Sequence, residues 1–278
     1  MNNYSYQIMR AVRKYHQIKQ IDFAPIIDTS QSALSKIEAG HLELSASQWL
    51  TICQKFTLDP RCLFTGKIEN LGGRKVKVEN HKEVGGFQVP DQYSFLMGST
   101  VRTAYPLLKF MRMKLGDKRT STYIKSTGFD PDYFLIMNNP LSLAFIQHLV
   151  HFMLAEGLFN LSNVQSILDL GQFNDVHSLI IDDLSSIKSL ELATKKLLTK
   201  VKTSYEHNTS YEFVGGKEFV EAKDQIFVKD FKLSTEFQTF RQKYNLSHFN
   251  GLDKLISGEG NGFKVKETSE GWVILKAS

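Results

Sequence analysis

Apolar residues recur at helical spacing from Tyr6 to about Phe64. Ile8, Val12 and Tyr15 make one stripe, and Phe23, Ala24, Ile26 and Ile27 a second. Leu34 with Ile37 makes a third, and Trp49, Leu50, Cys53 and Phe56 a fourth. Ser30 suits the N-cap of the third segment, where a hydroxyl accepts from the free N–H groups of the first turn. Gly40 suits the left-handed residue that closes it. Ser45 or Ser47 starts the fourth segment, and "LDPRCLF" predicts a capped final turn or short helix carrying Cys62, Leu63 and Phe64. Five short helices predict an all-α domain over residues 1–66.

The period then lapses. "GKIENLGGRKVKVENHKEVGGFQVP" is rich in glycine, and residues 67–90 read as a flexible interdomain linker. Within it Arg74, Val76 and Val78 alternate as an edge strand would. Residues 93–206 are mainly helical in pattern. They include "SFLMGSTVRTAYPLLKFMRMKLG", where Pro106 predicts a kink or restart. In the segment ending "SYEHN", Leu190, Leu197 and Val201 lie inside and paired lysines outside, a surface helix. After Asn208 strand patterns dominate: "SYEFV", "KEFVEA", "QIFVKDF", then an amphipathic helix near "STEFQTFRQKYN", then a hairpin turning at Ser269, Glu270 and Gly271. Residues 91–278 are therefore expected to form an α+β domain, helices first and a small antiparallel sheet late.

Length allows two domains with real cores. The formal charge of +5 is compatible with an anionic partner without requiring one. Residues 1–66 hold seven Lys/Arg against five Asp/Glu, so a DNA reading has to rest on pattern. Two cysteines, Cys53 and Cys62, make neither a disulfide framework nor a zinc site and suit a reducing cytoplasm. No apolar run has the ~18 residues of a membrane span. A cytoplasmic chain is expected.

The third helical segment, "TSQSALSKIEAGH", carries the candidate chemistry. Its narrow apolar stripe leaves an outer face that is short, polar and uncharged apart from Lys36. Such a helix fits the major groove of DNA, where short polar side chains reach base edges. Gln31 suits bidentate contact with adenine, Ser32 serves any base, and Lys36 reaches guanine or phosphate. Ser30 and Ser35 complete that face. Gln20, Arg10, Arg13 and Lys14 are candidate contacts to the phosphate backbone.

The stretch "KQIDFAPIIDTSQSALSKIEAGHLELSASQWLTICQKFTLDPRCLF" resembles the phage-repressor and Cro-type (XRE-like) helix-turn-helix family. Gln20, Phe23 and Ala24 match its first helix. Ser30, Leu34, Ser35, Ile37, Glu38 and Gly40 match its recognition helix, and Trp49, Leu50 and Ile52 the helix behind. The resemblance covers roughly residues 6–64. It implies an operator-binding transcriptional regulator acting as a homodimer, and a pairing of Arg13 with Glu38 in place of a phosphate contact. Three features depart from the family. Pro25 requires a late helix start, for instance capped by Asp22; Thr29 replaces an apolar turn residue; and "HLELSA" lacks the basic residue that often follows the glycine.

The C-terminal region distantly resembles α+β sensor domains of the vinyl-reductase-like and haem-NO-binding-like type, without their terminal cysteine and glycine features. It implies a sensory or dimerisation role. Phe95, Tyr105, Phe110, Tyr123, Phe129, Tyr133, Phe134, Phe145, Phe152 and Phe159, with Met97, Met111, Met113, Met137 and Met153, either fill a core or line a pocket for a small apolar ligand. His148 and His151 share a helical face, which suits metal ligation or partial burial, and no third ligand is evident. "FVGGKEF" reads as a hairpin turn. Asp169, Asp175, Asp182 and Asp183 fit no calcium loop. No phosphate-binding, nucleotide or hydrolase motif occurs, so neither catalysis nor a cofactor is expected. The competing reading is an adaptor whose helical domain docks a protein.

Overall fold

The computed structural model describes residues 4–71, 82–169, 187–224, 231–258, 262–268 and 271–276. The N-terminal segment folds as α1 (Ser5–Tyr15), α2 (Gln20–Phe23), a 3-10 turn (Ala24–Ile27), α3 (Gln31–Glu38), α4 (Ala46–Phe56) and α5 (Cys62–Thr65). The hydroxyl of Ser30 accepts from the Ala33 N–H at 3.1 Å. Ser45 caps α4 through a reciprocal box with Gln48. Gly40, at φ 76°, follows α3 in the left-handed region.

Pro25 is accommodated differently from the expected late start. The helix begins at Gln20 with Lys19 as its cap residue, and at Ala24 it tightens into the 3-10 turn. Proline has no N–H to offer the carbonyl four residues back and its ring crowds that carbonyl, which weakens the α-ladder here and favours the tighter turn. Asp28, in the left-handed conformation, then reverses the chain toward α3.

Residues 72–81, with the candidate edge strand at Arg74, Val76 and Val78, lie outside the described residues. Both flanks of the expected linker are packed. Ile68 bridges in parallel to Ile136, its N–H donating to the Leu135 carbonyl at 2.7 Å. The short hairpin β1 (Glu83–Val84) and β2 (Phe87–Gln88) seats its turn on the end of α1. A Cβ at Gly85 would fall 2.6 Å from the Tyr15 carbonyl oxygen, and one at Gly86 only 2.1 Å from that of Lys14. Only glycine permits this approach. A single buried apolar cluster accordingly runs from Ile8 through Leu34, Ile68, Val84 and Phe87 to Phe145 and Phe240.

Next come the two-residue pair β3 (Ser99–Thr100) and β4 (Pro140–Leu141), then α6 (Val101–Ser126) and α7 (Leu143–Ala155). α6 runs on past Pro106, and its break falls at Gly116, with φ 79° and ψ 163°. The aromatic residues of this region form a core. Phe129, Tyr133, Phe134 and Phe145 are all at most 2% exposed, their rings in contact with one another. Met97, Met111, Met137 and Met153 are also buried, whereas Met113 is exposed.

After α8 (Ser166–Asp169), residues 170–186 lie outside the described residues, including Asp175, Asp182 and Asp183. α9 (Leu190–Ser204) and α10 (Thr235–Ser257) flank an antiparallel sheet of β5 (Thr209–Phe213), β6 (Glu218–Asp224), β7 (Phe263–Thr268) and β8 (Gly271–Lys276). The strand order is β5-β6-β8-β7. "FVGGKEF" forms the expected hairpin, Phe213 pairing with Val220 and both glycines at positive φ. Most of "QIFVKDF" and the terminal turn residues Ser269 and Glu270 lie outside the described residues. One face of the sheet, through Phe219, Val220, Trp272 and Ile274, packs with Leu198 and Phe249. The layout is helices followed by a small antiparallel sheet. Among the described residues no helix is long and apolar enough to cross a membrane.

Candidate nucleic-acid interface

α3 is seated by Leu34 and Ile37, which are 0% and 1% exposed. Ser30, Gln31, Ser32, Ser35 and Lys36 are all exposed on its other side. Eight residues with one buried stripe cannot hold an orientation by propensity alone, because isolated helices of this length are marginal. A polar chain supplies the rest. The Arg13 guanidinium grips the Glu38 carboxylate in two-pronged fashion, Nε to Oε1 at 2.5 Å and Nη2 to Oε2 at 2.8 Å. Gln20 donates to the same carboxylate at 2.9 Å. Gln31 in turn donates to the Gln20 side-chain oxygen at 2.9 Å. Glu38 is buried, so its charge requires these partners.

Arg13 therefore takes the role that the family resemblance implied. Gln20 reaches both the buried carboxylate and the first residue of α3, so it orients Gln31.

Arg10 and Lys14, expected at the phosphate backbone, are instead half-buried and paired with carboxylates of the same chain. Arg10 binds Asp132 with Nε to Oδ2 at 2.6 Å and Nη2 to Oδ1 at 2.8 Å, and caps the end of α3 by donating to the Glu38 carbonyl at 3.0 Å. Lys14 Nζ lies 2.6 Å from Asp130 and 2.8 Å from Asp132. Burial alone would push the Asp132 carboxyl up, but its bonds to Arg10 and Lys14 outweigh that and hold it below the usual carboxylate range. Arg10 is raised mainly by the same bond to Asp132. Lys14 is raised because the two aspartates exceed its own desolvation.

No pattern in the sequence pairs α1 with Asp130 and Asp132, since 116 to 122 positions separate them. The one local hint is "DPD", in which Asp130 caps a 3-10 turn that presents Asp132. Lys36 on α3 and Lys19 at the start of α2 are exposed, and neither forms an ion pair among the described residues.

His148 and His151 engage separate hydrogen-bond partners. His148 Nδ1 shares a short hydrogen bond with the Tyr93 hydroxyl, and His151 Nε2 lies 2.7 Å from Ser234 Oγ at the start of α10. Among the described residues no group of three or more His, Cys, Asp or Glu side chains is arranged to hold a metal ion. Cys53 and Cys62 are buried free thiols.

Comparison with family models finds no match, and neither the curated proteins nor the solved structures contain a chain that matches this one.

Proposed function

We propose that this chain is a sequence-specific DNA-binding regulator of transcription, in which α3 enters the major groove, Gln31 and Ser32 meet the bases and Lys36 meets a phosphate. The observation that carries the reading is the sidedness of α3. Every polar side chain suited to base edges is exposed, and the first of them is oriented through Gln20 and Glu38 by Arg13. Side chains held in place before binding lose less freedom on contact, which favours discrimination between bases. One such helix spans few base pairs, so the regulator works as a homodimer in the cytoplasm, with the region after residue 90 providing dimer contacts and sensing. Gln31→Ala with Ser32→Ala is expected to flatten the preference for a selected operator over random duplex by tenfold or more, and Lys36→Ala to weaken binding to both. Titration of fluorescent duplexes at fixed salt checks this.

A second reading, docking of a protein partner, draws on Ile21, Leu50 and Phe64, which are 67%, 52% and 59% exposed. An electrophoretic shift with mixed genomic fragments separates the two. An adaptor gives no salt-sensitive retardation.

A further inference from the structure

A cavity of about 120 Å³ lies where α6, α7, α9, α10 and β5 meet. It adjoins the aromatic cluster that the sequence suggested as a pocket, since its wall residue Phe240 is in ring contact with Phe159. Leu107, Ile146, Leu197, Phe237 and Phe240 give it apolar walls, one or more from each helix. Its size is near that of apolar cavities of about 150 Å³ that admit benzene.

Two lining groups distinguish it from a packing defect. The Tyr244 hydroxyl and the Arg102 Nε–H are buried and have no hydrogen-bond partner among the described residues. A donor left unpaired in the interior costs about 1–3 kcal/mol, so two on one cavity need a reason. Several of the other polar lining groups are already engaged. Arg102 grips Glu69 through its terminal nitrogens, and Glu206 accepts from Ser99 Oγ at 2.6 Å and from the Asn208 N–H at 2.7 Å. Arg241 donates to Thr209. Nε–H can only donate, and the phenol can donate or accept. Together they ask for an acceptor.

We infer that this cavity binds a small, largely apolar molecule carrying one acceptor oxygen, a carbonyl or carboxylate, which Tyr244 and Arg102 hold by hydrogen bonds. The walls come from four helices and the first strand of the sheet, so occupancy bears on how the sheet-bearing part sits against the large core. This inference goes beyond the DNA reading and needs no DNA to test.

The test is a titration of methyl-labelled full-length protein with acetophenone, benzoate and ethylbenzene, followed at the Leu107, Ile146 and Leu197 methyl groups. Ethylbenzene matches acetophenone in shape without the oxygen. Acetophenone or benzoate is expected to bind at least tenfold more tightly than ethylbenzene, and whichever binds identifies the form of the acceptor. Tyr244→Phe should bring that preference down to threefold or less. This variant loses only an unpaired hydroxyl, so it should melt at the wild-type temperature or above. Ile146→Trp, which fills the space, should abolish the shifts. Equal binding of all three probes, no binding at millimolar concentration, a preference unchanged in Tyr244→Phe, or a clear loss of stability in that variant would each overturn the inference.

Discussion

Asp132→Asn tests how the helices that present α3 are joined to the rest of the chain. The native carboxylate is 4% exposed and accepts three charge-assisted hydrogen bonds, two from Arg10 and one from Lys14. The amide is nearly the same shape, so packing is preserved while the charge is lost and one oxygen becomes a donor facing a cation. Removing one partner of a fully buried pair costs about 3–5 kcal/mol. Arg10 and Lys14 are each 30% exposed, so water recovers part of that. A loss of about 2–3 kcal/mol is expected after that discount. For a chain of this size it lowers Tm by about 4–10 °C. The assay is equilibrium urea unfolding of wild type, Asp132→Asn, Arg10→Gln and the double variant. The coupling between the two sites should exceed about 1 kcal/mol, because they share hydrogen bonds. The pH dependence has a definite sign. The folded carboxyl is depressed, so its stabilisation is present above the unfolded value of about 3.9 and is lost as pH falls through the lower folded value. The gap between wild type and Asp132→Asn should accordingly close in acid. A change below about 0.5 kcal/mol, strict additivity with Arg10→Gln, or a gap that persists unchanged to pH 2 would mean that Asp132 does not anchor α1 through these bonds.

Other expectations concern single positions and salt. Ser30→Ala removes the cap of α3 and should cost about 1 kcal/mol in the same unfolding assay. Gly116→Ala forces a side chain into a backbone region that glycine alone adopts readily, and about 1–3 kcal/mol should be lost despite the open space around it. The salt dependence of DNA binding should be moderate. With Lys19 and Lys36 from each protomer at phosphates, the slope of log K against log salt is about −3.6, or about 150-fold between 50 and 200 mM. Were Arg10 and Lys14 also at the backbone, the loss would be about 20,000-fold, and such a value would mean that their pairing with Asp130 and Asp132 opens on DNA.

Local chemistry was legible in the chain where it depends on neighbours a few positions away. Ser30, Gly40 and the Gly215–Gly216 turn each signal their structure because a cap or a positive φ is settled within four residues. Features set by distant partners were not legible. Asp132 turns Arg10 and Lys14 from surface cations into struts, and no period encodes that. The glycines of "EVGGF" read as slack, yet two backbones meet there too closely for a Cβ. In α6 the residue that suggested a break, Pro106, lies near the helix start, whereas Gly116 further along adopts the non-helical conformation. α10 runs twelve residues beyond Asn245, the end of the stretch near which an amphipathic helix was expected, because Phe249 and Leu252 pack beneath the sheet and α9. The outer face of α3 was the most legible feature of the candidate site, since a stripe of two buried residues fixes which way the others point.

Selection of bound sequences from a random duplex pool, run in parallel with wild type and with the Gln31→Ala, Ser32→Ala double variant, asks whether the outer face of α3 reads bases. The wild type should enrich a two-fold symmetric site with half-sites about 34 Å apart, or a multiple of that spacing, and the variant should lose information within each half-site. Absence of enrichment at low ionic strength, or an identical motif from both proteins, would contradict base reading by α3.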